Sequence, residues 1–251
     1  MLEVDSLSVQ IGSVKIISDI SFSLSEGQWL MVVGPNGAGK STLISAISNG
    51  VEYSGDVRFD GASLKKLKPS NLAKLFGVLM QSHTVGYSFT VDEVVKLGRY
   101  AYSSGIFGST SDEDGEKIEW ALEATGMVPM RGQSVLTLSG GELQRTFLAQ
   151  LLAQDPKLLL LDEPSNHLDL VYQKQVFELI AAWLKQPGRA VISVVHDLSL
   201  ALAYGSHAIL LNKGQLIASG SVSETLAAEN LRRAYDMDVY EWMRSMLSQW
   251  A

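Results

Sequence analysis

Apolar and polar positions alternate through the first part of the chain, with Leu2 and Val4, then Leu7 and Val9, and the pattern closes on the unbroken run Trp29-Leu-Met-Val-Val33. A period of two marks strands with one face buried, and a continuous apolar run marks a strand covered on both faces. Gly34 to Lys40 interrupt that run, and residues 41–48 (STLISAIS) return with helical spacing. The order is strand, glycine-rich loop, helix. Residues 56–61 (DVRFDG) predict a second half-buried strand.

From about Gln81 to Gln150 the character becomes helical. Thr90-Val-Asp-Glu93 is a capping box that opens a short helix, and Gly126 ends another predicted over 112–126. Ser139-Gly-Gly-Glu142 repeats the box ahead of an apolar stripe at Leu143, Phe147, Leu148, Leu151 and Leu152, which Asp155-Pro156 stops. Residues 157–164 (KLLLLDEP) and 190–197 (AVISVVHD) predict two buried strands, with a helix over 170–186 between them. Residues 208–220 read as a hairpin turning at Asn212-Lys213-Gly214, and the tail beyond Ser223 is helical and amphipathic. Buried strands alternating with helices imply a largely parallel α/β core. The reading divides the chain into a core of residues 1–80 and 151–222 with a β-rich N-terminal part, an inserted helical segment 81–150, and a tail 223–251.

Composition narrows the class. The 251 residues are 46% hydrophobic and 19% charged without low-complexity tracts, so the chain is globular. A net charge of −7 argues against a nucleic-acid partner held by phosphate neutralisation. There are no cysteines, and the first residues show neither the basic nor the apolar region of a signal peptide. The longest apolar runs are too short to span a bilayer, so a soluble, cytoplasmic chain is expected, held at any membrane by a partner.

The chemistry concentrates in three places. Gly34-Pro-Asn-Gly-Ala-Gly-Lys-Ser-Thr42 meets the GxxxxGK[ST] pattern in the strand–loop–helix setting that it requires. Its glycines let backbone N–H groups converge on phosphate oxygens, Lys40 places a cation near the β and γ phosphates, and Ser41 offers a hydroxyl to Mg²⁺. The helix behind it points its positive end at the anion. The second place is the end of the buried strand, where Asp162 would approach Mg²⁺ and Glu163 could polarise an attacking water. Alone, this pair could equally close the strand in an ordinary acidic turn.

The third place is Leu138-Ser-Gly-Gly-Glu-Leu-Gln-Arg145. A capping box and a glycine turn explain its local shape. They do not explain two successive exposed N–H groups at a helix N-terminus, which form a second anion site. With a phosphate loop already present, that suggests two chains sharing one nucleotide.

These motifs resemble, over essentially the whole chain, the ATP-binding subunits of ABC transporters. GPNGAGKST is similar to the Walker A loop, LSGGE to the family signature with Glu142 in the place commonly held by glutamine, and LLLLDE to Walker B. SNHLD resembles the D-loop, Gln81 the Q-loop residue and His196 the switch histidine. The resemblance implies an α/β fold: a P-loop NTPase core of the ABC type with a helical subdomain. It implies MgATP bound by Gly34, Pro35, Asn36, Gly37, Ala38, Gly39, Lys40, Ser41 and Thr42, with Ser41, Gln81 and Asp162 toward the metal. Glu163, His196 and Gln81 would be catalytic. Ser139, Gly140, Gly141, Glu142 and Asp169 would meet the nucleotide across a head-to-tail dimer of two copies. The other histidines, His83, His167 and His207, lack metal-ligand spacing and read as structural or surface residues.

Residues 1–20 hold no Phe, Tyr, Trp or His, although the family usually stacks an aromatic on adenine there; Val9 to Ile11 occupy the expected place. Residues 89–102 and 221–239 resemble bacterial importers of iron–siderophore chelates, haem and cobalamin. These work with a membrane permease and an extracytoplasmic binding protein, which puts the chain on the cytoplasmic face of the membrane. Tyr87 and Phe89, beside His83 and Val85, are expected to face the permease. The alternative is a soluble ABC ATPase of repair or translation, which would carry a coiled-coil insert or a second P-loop.

Overall fold

The computed structural model describes residues 1–80, 86, 88–102, 111–166 and 168–250. Two compact units emerge: residues 1–66 with 192–251, and residues 67–191.

The first unit opens with the hairpin β1 (Leu2–Ile11) and β2 (Val14–Leu24), followed by β3 (Trp29–Val33), α1 (Lys40–Ile47), β4 (Ser54–Phe59) and β5 (Ala62–Ser63). Four of these strands form an antiparallel sheet in the order β2-β1-β4-β5. The slip in the alternation, from Leu2 and Val4 to Leu7 and Val9, has a physical cause. The register shifts between Val4 and Leu7, where Ser6 adopts φ 51°. The irregularity restores the inward face, so all four side chains are buried. All five residues of β3 are buried, as its continuous apolar run requires.

The second unit begins with α2 (Pro69–Leu75), whose Pro69 sits in the first turn where no N–H is needed, and β6 (Phe76–Leu79). Then come α3 (Val91–Leu97), α4 (Asp112–Ala124), α5 (Gly140–Gln154), β7 (Leu158–Asp162) and α6 (Leu170–Leu184). Both capping boxes read from the sequence form, at Thr90/Glu93 and Ser139/Glu142, and a third forms at Ser111/Asp114. The three helices are fastened by Arg99, which is 6% exposed. It meets Asp114 at 2.6 Å and donates to the carbonyl of Ala153 at 3.0 Å, satisfying an end carbonyl of α5. Strand β7 is entirely buried and parallel to β6.

Strand β8 (Ala190–Val194) returns the chain to the first unit, which continues through α7 (Leu198–Tyr204), β9 (His207–Asn212) and β10 (Gln215–Ser221). Helices α8 (Val222–Thr225), α9 (Ala228–Tyr235) and α10 (Val239–Leu247) complete it. Its second sheet runs β10-β9-β3-β8, with β9 parallel to β3 and the β9–β10 hairpin turning after Asn212 as the sequence predicts. The Trp29 indole N–H donates to Ser193 at 2.9 Å, joining β3 to β8 in the core. Among the described residues no helix is long and apolar enough to cross a membrane.

Candidate nucleotide-binding and hydrolytic site

In the first unit, β3 ends at Val33 and the chain enters a loop of three left-handed or near-extended glycines: Gly34 (φ 147°), Gly37 (φ 77°) and Gly39 (φ 97°). At Gly34 a side chain is excluded twice over. Its φ is unfavourable for L residues, and a Cβ would lie 2.1 Å from the carbonyl oxygen of Leu211 at the end of β9. Gly39 is the N-cap of α1 and brings no side-chain cap, and the first turn of α1 carries no acidic residue. Helix amide groups and dipole are therefore left for an external anion.

Lys40 is 6% exposed and donates to the carbonyls of Gly34 (2.8 Å) and Pro35 (3.0 Å), which holds the ammonium inside the loop. Pro35, Asn36, Ala38, Ser41 and Thr42 complete the same loop and the first turn of α1. Ser41 and Thr42 are half-buried and Asn36 is exposed. Geometry and donor set both fit a polyphosphate.

His196 belongs to this end of β3 as well. The N–H of Val195 donates to Val32 at 3.3 Å, so the exposed His196 leaves the sheet beside the strand that feeds the loop. Two contacts escaped sequence reasoning. Gly214, in the β9–β10 turn, accepts from the N–H of Ser18 at 2.8 Å, tying the hairpin to β2. The Tyr235 phenol, whose pKa burial raises, lies against the backbone of Gly34. Where an aromatic would be expected against a base, Val9 is buried in the sheet, whereas Ile11 and its cross-strand partner Val14 are 57% and 58% exposed.

In the second unit, Asp162 ends β7 at 1% exposure. Glu163 then turns sharply, with φ 54°, a left-handed conformation of a kind that side-chain-bearing residues adopt mostly at functional turns. The turn is closed by Asn166 N–H donating to Glu163 O (3.0 Å) and Leu168 N–H to Ser165 O (3.2 Å). Asp169 caps α6 by accepting from Tyr172 N–H at 2.9 Å. Gln144, buried on α5, donates to the carbonyl of Pro164 at 3.4 Å and links the glycine-rich helix start to this turn. No periodicity could signal that bond.

Gly140 and Gly141 open α5 behind Ser139. The Glu142 carboxylate accepts from Ser139 N–H (2.7 Å) and from the Ser139 hydroxyl (2.7 Å). Those bonds, the backbone one first, hold its pKa below the usual glutamate value. Gln81 lies outside the described residues, as do His83, Val85, Tyr87 and His167.

A family model for the ABC transporter matches residues 17–166, and the chain belongs to that family. It is accordingly an ATP-binding, ATP-hydrolysing enzyme of the transport-coupled type. Among its relatives, the iron(3+)-hydroxamate import ATP-binding protein FhuC of Bacillus subtilis is 35% identical over 94% of this chain and 88% of its own length. The hemin import ATP-binding protein HmuV of Myxococcus xanthus is 41% identical over 96% and 92%. The fold superposes on a metal-chelate type ABC transporter solved in an inward-facing conformation, with a TM-score of 0.81, 25% identity, and coverage of 94% of this chain and 89% of that one.

Proposed function

We propose that the chain is the ATP-binding subunit of a bacterial importer taking up a metal chelate (an iron–siderophore complex, haem or cobalamin) through a partner permease. The observation that carries this reading is the alignment of ferric hydroxamate and hemin import subunits over more than nine-tenths of the chain. The repair or translation alternative calls for long heptad helices, whereas the longest described helices have 15 residues.

The left-handed glycines and the uncapped α1 support residues 34–42 as the phosphate contacts, with Lys40 supplying the cation. Mg²⁺ fits the chemistry of the Ser41 hydroxyl, the Asp162 carboxylate and Gln81; when bound it neutralises phosphate charge. Glu163 orients and polarises the attacking water from its strained turn, Gln81 assists, and His196 steadies the γ-phosphate end. The division into a core (1–80 and 151–222), a helical subdomain (81–150) and a tail (223–251) is part of this proposal and differs from the two compact units, 1–66 with 192–251 and 67–191.

Two copies pair head to tail, and Ser139, Gly140, Gly141, Glu142 and Asp169 of each complete the other's nucleotide site. Supporting this seam, Leu170 and Val171 beside Asp169 are 80% and 64% exposed, more apolar surface than a helix start otherwise leaves to water. The permease docks around residues 81–99, where Phe89 is 42% exposed. It holds the subunit on the cytoplasmic face of the membrane, while an extracytoplasmic binding protein delivers cargo. Charge substitutions at Tyr87 and Phe89 leave ATP binding intact and remove permease co-purification.

Uptake tests the whole reading. Membrane vesicles with the cognate permease and binding protein import labelled ferric siderophore, haem or cobalamin with the parent chain and stop with Glu163→Gln. Failure to import any of the three classes by the parent complex refutes the chelate assignment. For the shared site, Lys40→Ala and Ser139→Arg chains are each nearly inactive alone. Activity linear in concentration down to strictly monomeric protein refutes the dimer.

A further inference from the structure

A cleft of about 490 Å³ opens within the second unit between the C-terminal end of α4 and helices α5 and α6. Its apolar lining comes from the half-buried Ala124, Met130 and Leu179 beside the polar Thr125 and Gln175, its edge carries Glu123 and Glu178, and one side is formed by Arg145 stacked on Tyr172. The guanidinium lies 3.8 Å from the Tyr172 ring centroid, and Arg145 is only 9% exposed. Its Nε is fully buried and meets no hydrogen-bond acceptor.

A buried arginine in this state is uncommon. It carries five N–H donors and a permanent charge, and buried charges are ordinarily paired and hydrogen-bonded. The stack on Tyr172 offsets part of the desolvation, but a ring face accepts charge without satisfying donors. Arg145 acts electrostatically on the Glu142 carboxylate, but that group's hydrogen bonds go to Ser139.

We propose that this cleft binds a small carboxylic acid with an apolar body. A carboxylate matches the two terminal nitrogens of the planar guanidinium with two parallel bonds, and Ala124, Met130 and Leu179 take the short apolar remainder of the molecule. A phosphate dianion is disfavoured, because Glu123 and Glu178 add negative charge at the edge. The volume falls in the range of small-ligand pockets, and the lining sets polar groups beside aliphatic ones. The ligand is gripped by two helices, Arg145 standing six residues beyond Ser139 and Tyr172 three beyond Asp169. Occupancy therefore bears on both helix starts.

The test uses hexanoate, with hexanamide as its uncharged analogue and inorganic phosphate as a compact dianion, titrated into the full chain without nucleotide. Hexanoate binds saturably with a millimolar-range constant. Hexanamide binds at least about tenfold more weakly, as does hexanoate to Arg145→Gln. Glu178→Gln tightens hexanoate binding severalfold and carries the test if Arg145→Gln does not fold. Equal affinity for hexanoate and hexanamide, tighter binding of phosphate than of hexanoate, or weaker binding by Glu178→Gln overturns the proposal. No nucleotide or second subunit enters the measurement, so its failure is separate from that of the dimer and importer readings.

Discussion

Replacing Glu163 separates what its side chain does from what its backbone tolerates. The residue holds φ 54°, and a non-glycine residue in this region costs about 1–3 kcal/mol, a cost that Ala retains and Gly escapes. Glycine gives back about 0.5–1 kcal/mol through its freer unfolded state. Glu163→Gly should therefore be more stable than Glu163→Ala by about 1 kcal/mol, a melting difference of about 2–4 °C for a chain of this size. Both lose turnover, as does Glu163→Gln, by about 10²–10⁴-fold if the carboxylate assists as a general base, equivalent to about 3–5 kcal/mol of barrier. Calorimetry gives the melting order, phosphate release gives turnover, and a fluorescent nucleotide gives binding, which Glu163→Gln retains. Turnover of Glu163→Gln near that of the parent removes the residue from catalysis. Glu163→Gly melting below Glu163→Ala refutes the strain argument.

Three further outcomes follow from the geometry. Gly34→Ala, whose Cβ would sit 2.1 Å from the Leu211 carbonyl, should cost about 2–4 kcal/mol and abolish nucleotide binding; a melting point within 1–2 °C of the parent would contradict it. With aliphatic Ile11 and Val14 in place of an aromatic, GTP should compete with ATP within about tenfold, and a thousandfold preference for ATP would mean that another residue reads adenine. The Glu142 pKa is lowered in the fold, so its contribution to stability is complete above the ordinary glutamate value and fades as pH falls through the depressed one. Glu142→Gln should therefore flatten the acid limb of a melting-versus-pH curve, and an unchanged limb would show that the box carries no linkage.

The strand–loop–helix of residues 29–47 and the caps at Thr90 and Ser139 were legible because each is local: a run, a break, a box of four residues. Helix α2, strand β6 and helix α7 escaped, because four to seven residues hold too few periods to stand out. The Ser111 cap went unread because its third helical residue is Asp114, not the Glu or Gln of the usual signature. The site divides in the same way. Phosphate-loop residues announce themselves by spacing, whereas Gln144 with Pro164, Arg145 with Tyr172 and Tyr235 with Gly34 are distant in sequence and meet only through the fold.

That last contact bears on how the chain comes off the ribosome. The segment 67–191 is continuous and can close on itself as it emerges, but the strand that carries the phosphate loop has β9 as its parallel neighbour, and Tyr235 comes later still. At ordinary synthesis rates roughly 170 residues separate the loop from the end of β9, or on the order of ten to thirty seconds. During that interval the glycine-rich stretch has β2 beside Gly39 but not β9, and the apolar run at 29–33 is open to chaperones and to mispairing. The part of the sequence easiest to recognise is thus among the last to acquire its shape.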